Sequence, residues 1–166
     1  MDFLRRGALW SWALLLVAML AISACQTMPP PGLTPEQIAL LKKEGFVLVD
    51  DDWELNLSGK FLFGVDEDQL GEESTQALRR LARALLDVGI ERVRVDGHTD
   101  ATGGRDYNQE LSVRRATTVA EEMVASGMQN NLVEIRGLGD TQPVSLDNTR
   151  EGHQENRRVA IVVSSR

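Results

Sequence analysis

Apolar residues recur along this chain with two different periods, and the changes of period mark its elements. Thr34 to Gly45 reads as a short helix with both ends marked. Thr34 can cap it, Pro35 suits the first helical position, Gln37 completes a capping box and Gly45 supplies a left-handed stop. Ile38 and Leu41 share one face of it. Phe46 to Val49 and Trp53 to Leu57 alternate like strands, separated by Asp50-Asp51-Asp52. Phe61 to Leu70 reads as a loop with apolar points at Phe63 and Leu70. Glu72 to Val88 is a helix whose stripe is Leu78, Leu81, Ala82 and Leu85, ended by Gly89. Arg92 to Gly97 is a strand with Val93 and Val95 on one face. Asp106 is read as the cap of the next helix, with Gln109 three residues on. That helix runs to about Ser126, turns Ala116, Val119, Ala120 and Met123 inward, and closes at Gly127. Leu132 to Arg136 is a strand, and Val159 to Val163 is apolar throughout, which predicts a central one. The connection from Gly137 to Asn156 has little apolar content, and loops of that length are usually functional or mobile.

Strands and helices in this order predict the α/β class. The expected architecture is a two-layer sandwich, a mixed four-stranded sheet carrying two main helices, preceded by a short N-terminal helix. The chain divides into four segments. Residues 1–24 are read as a signal peptide, 25–33 as a tether, 34–52 as a regulatory or partner-binding segment, and 53–166 as the main domain.

The first segment carries a basic Arg5-Arg6, then an apolar run from Ala8 to Ala24 that is short for a membrane span. It ends in Ile22-Ser23-Ala24-Cys25, which resembles a bacterial lipobox, so acylation is expected at Cys25, the chain's one cysteine. The protein would then be anchored to a membrane rather than span it. Gln26, in place of an aspartate after the cysteine, resembles the outer-membrane sorting pattern, with the domain facing the periplasm. Three successive prolines from Pro29 favour an extended tether. With Cys25 acylated, no disulfide can form. The net charge of −7, without a basic stripe, argues against nucleic acid as a partner.

Val95 to Ala116 concentrates the chemistry. It places Asp100 before a glycine-bearing loop and Arg114 and Arg115 two turns into a helix. A carboxylate and a guanidinium across one pocket suit an amino-acid head group, which carries an ammonium and a carboxylate. Asn108, Leu111 and Arg115 recur at steps of three and four and so share a helix face, while Gly103 and Gly104 let the backbone come close. His98 reads as a hydrogen-bonded loop residue. With only His98 and His153 and no HExxH or paired-cysteine motif, no metal site and no cofactor are expected. No free thiol, G-x-S-x-G elbow or phosphate-binding loop is present, so the chain does not read as an enzyme.

The stretches GHTDATG, YNQELSVRRA, GLGDTQPV and NTREGHQENRRV, with LFGVDEDQL before them, resemble the OmpA-like peptidoglycan-binding domain in order and spacing. The resemblance implies that Asp100 and Arg115 grip the diaminopimelate of the peptidoglycan stem peptide. Asn108, Leu111, Gly103, Asn156 and Arg157 would stand around them. Arg157 and Arg158 would either touch the ligand or order the loop through an acidic neighbour. Two positions depart from the usual pattern: Gly64 stands where many relatives have an aspartate, and His153 where many have an arginine. CQTMPPPGLTPEQIALLKKEGF and NRRVAIVV extend the likeness to outer-membrane lipoproteins of the YfiB type. That likeness implies sequestration of a YfiR-like periplasmic inhibitor, which frees a YfiN-like inner-membrane diguanylate cyclase and raises cyclic-di-GMP and biofilm growth. Ile38, Leu41 and Phe46 are the expected partner-binding residues. A structural tether between outer membrane and wall is the other function the resemblance allows, and a homodimer stays open.

Overall fold

The computed structural model describes residues 32–63 and 69–165. The signal peptide, Cys25, the tether to Pro31 and the loop residues Gly64 to Asp68 lie outside the described residues. Among those described, no helix is long and apolar enough to cross a membrane.

Helix α1 (Pro35–Lys43) begins at the predicted capping box: Gln37 N–H donates to Thr34 Oγ1 at 3.2 Å, and Thr34 N–H donates to Gln37 Oε1 at 2.9 Å. Gly45 ends it with φ +89°. Strands β1 (Val47–Val49) and β2 (Asp52–Ser58) come after it, then a four-residue helix α2 (Gly59–Leu62). Helix α3 (Glu72–Asp87), strand β3 (Val93–Gly97), helix α4 (Arg105–Ala125) and strand β4 (Val133–Gly137) come next. Helix α5 (Arg150–Asn156) and strand β5 (Arg158–Ser164) complete the described fold.

The sheet has five strands in the order β1-β2-β5-β3-β4, not the four expected. The extra one is β1, a three-residue strand that adds antiparallel to the edge of β2. β3 and β4 are parallel, as a helical crossover requires, and the remaining pairs are antiparallel. β5 is central, paired with β2 on one side and β3 on the other. The core lies between the sheet and helices α3 and α4, where Leu78, Leu85, Val119, Met123, Val95 and Ile161 are fully buried.

Three expectations need correction. Phe61 to Leu70 is not all loop: α2 occupies its start, and Phe63 and Leu70 form an isolated antiparallel bridge. The long connection before β5 contains α5, capped by Thr149. Asp106 does not cap α4, because Gly104 holds the cap position and Asp106 lies in the first turn, where its charge still favours the helix dipole. All three concern pieces too short for a period to declare them.

Residues 34–52 pack into the main domain rather than standing apart from it. Gly32 onward forms one compact unit, and Leu41 and Phe46 are buried in the same core cluster as the main helices. Gln37 Nε2 ties α1 to the end of α3 by donating to Val88 O at 3.0 Å. A helix this short has no stability of its own, so its burial against the core is what keeps it folded. Leu41→Ala should therefore lower the stability of the whole unit by about 2–5 kcal/mol. The midpoint of the main urea transition should fall accordingly; an unchanged midpoint would mark α1 as an appendage that adds nothing to the core.

Candidate functional site

The motif residues gather where β3 ends and α4 begins. Gly97 and Gly137 close β3 and β4 opposite one another, and α4 lies directly on both. A Cβ on Gly97 would stand 2.0 Å from Ser112 O, and one on Gly137 would stand 2.3 Å from Val113 Cγ2. Glycine is needed at both because the helix comes this close. Gln109 Nε2 donates to Gly137 O at 2.8 Å and Gly139 N–H donates to Ser112 Oγ at 3.0 Å, which locks the helix to the strand ends.

This docking opens a cavity of about 440 Å³, walled by Phe63, Thr99, Asp100, Asn108, Leu111 and Arg115, with Arg157 across from them. Asn108, Leu111 and Arg115 stand on one face of α4, as their spacing predicts. Arg115 is buried, and its guanidinium carbon lies 5.4 Å from the centre of the Phe63 ring, a cation–π contact that fixes its plane. Asn108 Nδ2 donates to Asp100 O at 3.2 Å and to Thr102 O at 3.1 Å, so it shapes the loop as well as the wall. Thr99 is buried at the wall, and its hydroxyl has no partner among the described residues.

Asp100 is less available than its position in the sequence implies. Its Oδ1 accepts from Thr102 N–H at 2.9 Å and from the Thr102 hydroxyl, and its Oδ2 accepts from Arg157 Nη1 at 2.5 Å. A carboxylate offers about four acceptor sites, so roughly one is left for a ligand. Burial raises its pKa, but the bonds from Thr102 and Arg157 outweigh burial and hold it below the usual carboxylate value. Asp100 is thus ionised and aimed before any ligand arrives.

Two expected site residues stand elsewhere. Asn156 does not line the cavity. Its Oδ1 accepts from Val144 N–H at 2.9 Å and Ser145 N–H at 3.0 Å, and its Nδ2 donates to Ser145 O at 2.8 Å. It lies two residues past Gln154, turned away from the wall that Arg150 and Gln154 line, and orders the loop before α5. Gly103 is also not in the wall. It holds φ +92° in the turn into α4, a conformation other side chains resist. Arg157 lines the cavity and also pairs with Asp100, so it both faces the ligand space and orders the loop. Arg158 faces away: its Nε donates to Asn56 Oδ1 at 2.9 Å and its Nη2 to Gln142 O at 3.3 Å. A larger cavity of about 540 Å³ beyond α5 takes in Arg158 but neither Asp100 nor Arg115. Sequence reasoning missed Lys60, Tyr107, Arg150 and Gln154 as lining residues. Tyr107 adjoins a motif residue and could have been found; the others stand on helices too short to declare a face.

Residues 62–157 match the model of the OmpA family. The chain belongs to that family. It is 49% identical over 146 residues to the outer-membrane lipoprotein YfiB of Pseudomonas aeruginosa, covering 87% of each chain. It is 37% identical over 153 residues to the putative lipoprotein YfiB of Escherichia coli K12, covering 91% of this chain and 94% of the relative. Among solved structures it resembles the cell wall anchor of the T6SS from Pseudomonas aeruginosa, 29% identical with a TM-score of 0.65. That match covers 83% of this chain and 100% of the other. In OmpA-family terms, the cavity is built by the segments whose motifs carried the likeness, Gly97 to Gly103 and Tyr107 to Ala116, together with Arg150 to Arg157.

His98, between β3 and Asp100, gives the fold a pH dependence. It is buried, its Nδ1 has no partner among the described residues, and burial followed by the nearby Arg158 charge lowers its pKa to about 4 from an ordinary 6.5. Between those values the unfolded chain takes up a proton that the folded one refuses. Stability from this group is therefore complete above about pH 6.5 and falls by roughly 1.4 kcal/mol per unit as the pH drops toward 4. In His98→Asn this part of the slope should vanish. Urea midpoints of both proteins at pH 7 and pH 5 measure it, and equal slopes would rule the mechanism out.

Proposed function

We propose that this chain is a lipid-anchored protein of the outer membrane, acylated at Cys25, whose domain binds peptidoglycan in the periplasm without hydrolysing it. The observation that supports this most is the convergence of Asp100, Asn108, Leu111 and Arg115 on one cavity. Arg115 can take the carboxylate of a diaminopimelate head group through two parallel N–H bonds, and the remaining acceptor site of Asp100 can take its ammonium. The names of the similar lipoproteins and of the similar wall anchor agree with this reading. Arg115→Ala should weaken pull-down of the full chain on sacculi by about ten- to hundredfold, the value of charge-assisted bonds of this kind. Arg115→Lys keeps the charge and loses the fork, and should fall between. Undiminished binding by the alanine variant would refute the assignment.

We further propose that the chain sequesters a YfiR-like periplasmic inhibitor and so releases a YfiN-like diguanylate cyclase. Residues 34–52 are the segment proposed for this contact. Leu41 and Phe46 are buried in the conformation described and Ile38 is half-buried, so they offer no open surface there, whereas Val47, Leu48 and Val49 are exposed. Release of α1 would uncover Leu41 and Phe46 beside those three residues and give the inhibitor one continuous apolar surface. A proline at Leu40 costs the helix about 3 kcal/mol and favours that release. Leu40→Pro should therefore strengthen inhibitor capture and raise cyclic-di-GMP. Weaker capture at normal protein levels would leave the chain as a passive tether between outer membrane and wall.

A further inference from the structure

The described wall of the cavity carries positive charge that a single amino-acid head group does not use. Lys60, Arg115, Arg150 and Arg157 line it, against one carboxylate, Asp100, among the described residues. Arg157 is balanced by Asp100, and Arg115 is the group suited to the head-group carboxylate. Lys60 and Arg150 remain. Neither side chain forms a hydrogen bond or ion pair with another described residue. Among the described lining residues, two cations thus stand beyond those that the head group engages.

These two cations come from elements far apart in sequence, and the backbone brings them together. Gly59 N–H, at the start of α2, donates to Arg157 O, at the end of α5, at 2.7 Å. A Cβ on Gly59 would stand 2.9 Å from that oxygen, so the two short helices meet backbone to backbone. Lys60 is the next residue along from this contact. Arg150 stands one turn before Gln154, and both line the cavity, so α5 turns one face to the ligand.

We propose that Lys60 and Arg150 form a second carboxylate subsite, so that the cavity prefers peptides bearing a free carboxylate beyond the zwitterionic head group over the amidated form. This rests on the peptide-binding reading above and adds to it the charge the ligand must carry. Both cations are exposed, so each acts at moderate strength, about two- to fivefold in affinity, and is screened by salt. Rim charges of this kind set specificity more than raw affinity.

The test is a cycle between ligand charge and protein charge. Two diaminopimelate-containing tripeptides are needed, one with all carboxylates free and one with the carboxylate outside diaminopimelate converted to a primary amide. Calorimetric titration of the detergent-solubilised full chain at low salt should show the free form binding about five- to tenfold tighter. In the Lys60→Gln/Arg150→Gln double variant the two ligands should bind equally, at the wild-type affinity for the amide. A preference that survives in the double variant, or is absent from the wild type, overturns the subsite while leaving the head-group reading intact. Failure of the wild type to bind either tripeptide would instead remove the head-group reading, and the subsite with it.

Discussion

Helix α4 touches β3 and β4 with no side chain of Gly97 or Gly137 between them, and the placement of the site depends on that contact. With Ser112 over Gly97, the last residue of β3, the turns of α4 before it run past the strand end, which brings Asn108 and Leu111 to the cavity, and Arg115 follows nearly one turn further along the same face. Ser112 serves twice, donating to Gln109 O at 2.7 Å and accepting from Gly139 N–H. Any larger residue at either glycine would push the helix outward and widen the cavity. The four-residue helix α2 meets the end of α5 in the same manner at Gly59. Glycines that admit backbone thus define both sides of the mouth.

Within that frame the ligand-facing groups are held by each other. Asp100 is fixed by Thr102 and Arg157, Arg115 by the Phe63 ring, and the turn between them by Asn108. Little ordering is left to be done on binding, which keeps the entropic cost low. The Asp100–Arg157 contact also extends the pairing of β3 with β5 by a side-chain bond just beyond the strand ends.

The sequence was most legible where a pattern is long or a cap is explicit. The helices at 72–87 and 105–125, the buried stripes, the capping box at Thr34 and the central strand β5 all come from period and end signals. The face shared by Asn108, Leu111 and Arg115 was legible for the same reason. The illegible parts are the short ones. Helices α2 and α5 are four and seven residues long, and they carry Lys60, Arg150 and Gln154 to the mouth. Asn156 and Gly103 stand in the turns beside the cavity and not in its wall, because a motif position says that a residue is needed without saying whether ligand or loop needs it. The edge strand β1 was recognised as extended, but one strand's alternation cannot say whether it joins a sheet.

The position of β5 has a consequence for how the molecule is made. This strand pairs Ser164 with Asp52 and Arg158 with Ser58 on one side, and Val159 with Gly97 on the other. β2 and β3 do not pair with each other, so the two halves of the sheet are joined only through it. Most of the pairing is therefore non-local, and a nascent chain lacking β5 has two unmatched edges and no complete core. Pairing between strands this far apart in sequence slows folding, because the loop must close before the contacts form. Closure of the sheet, and with it of the cavity that Arg157 and Asp100 share, thus waits on the strand that is last in chain order among those described.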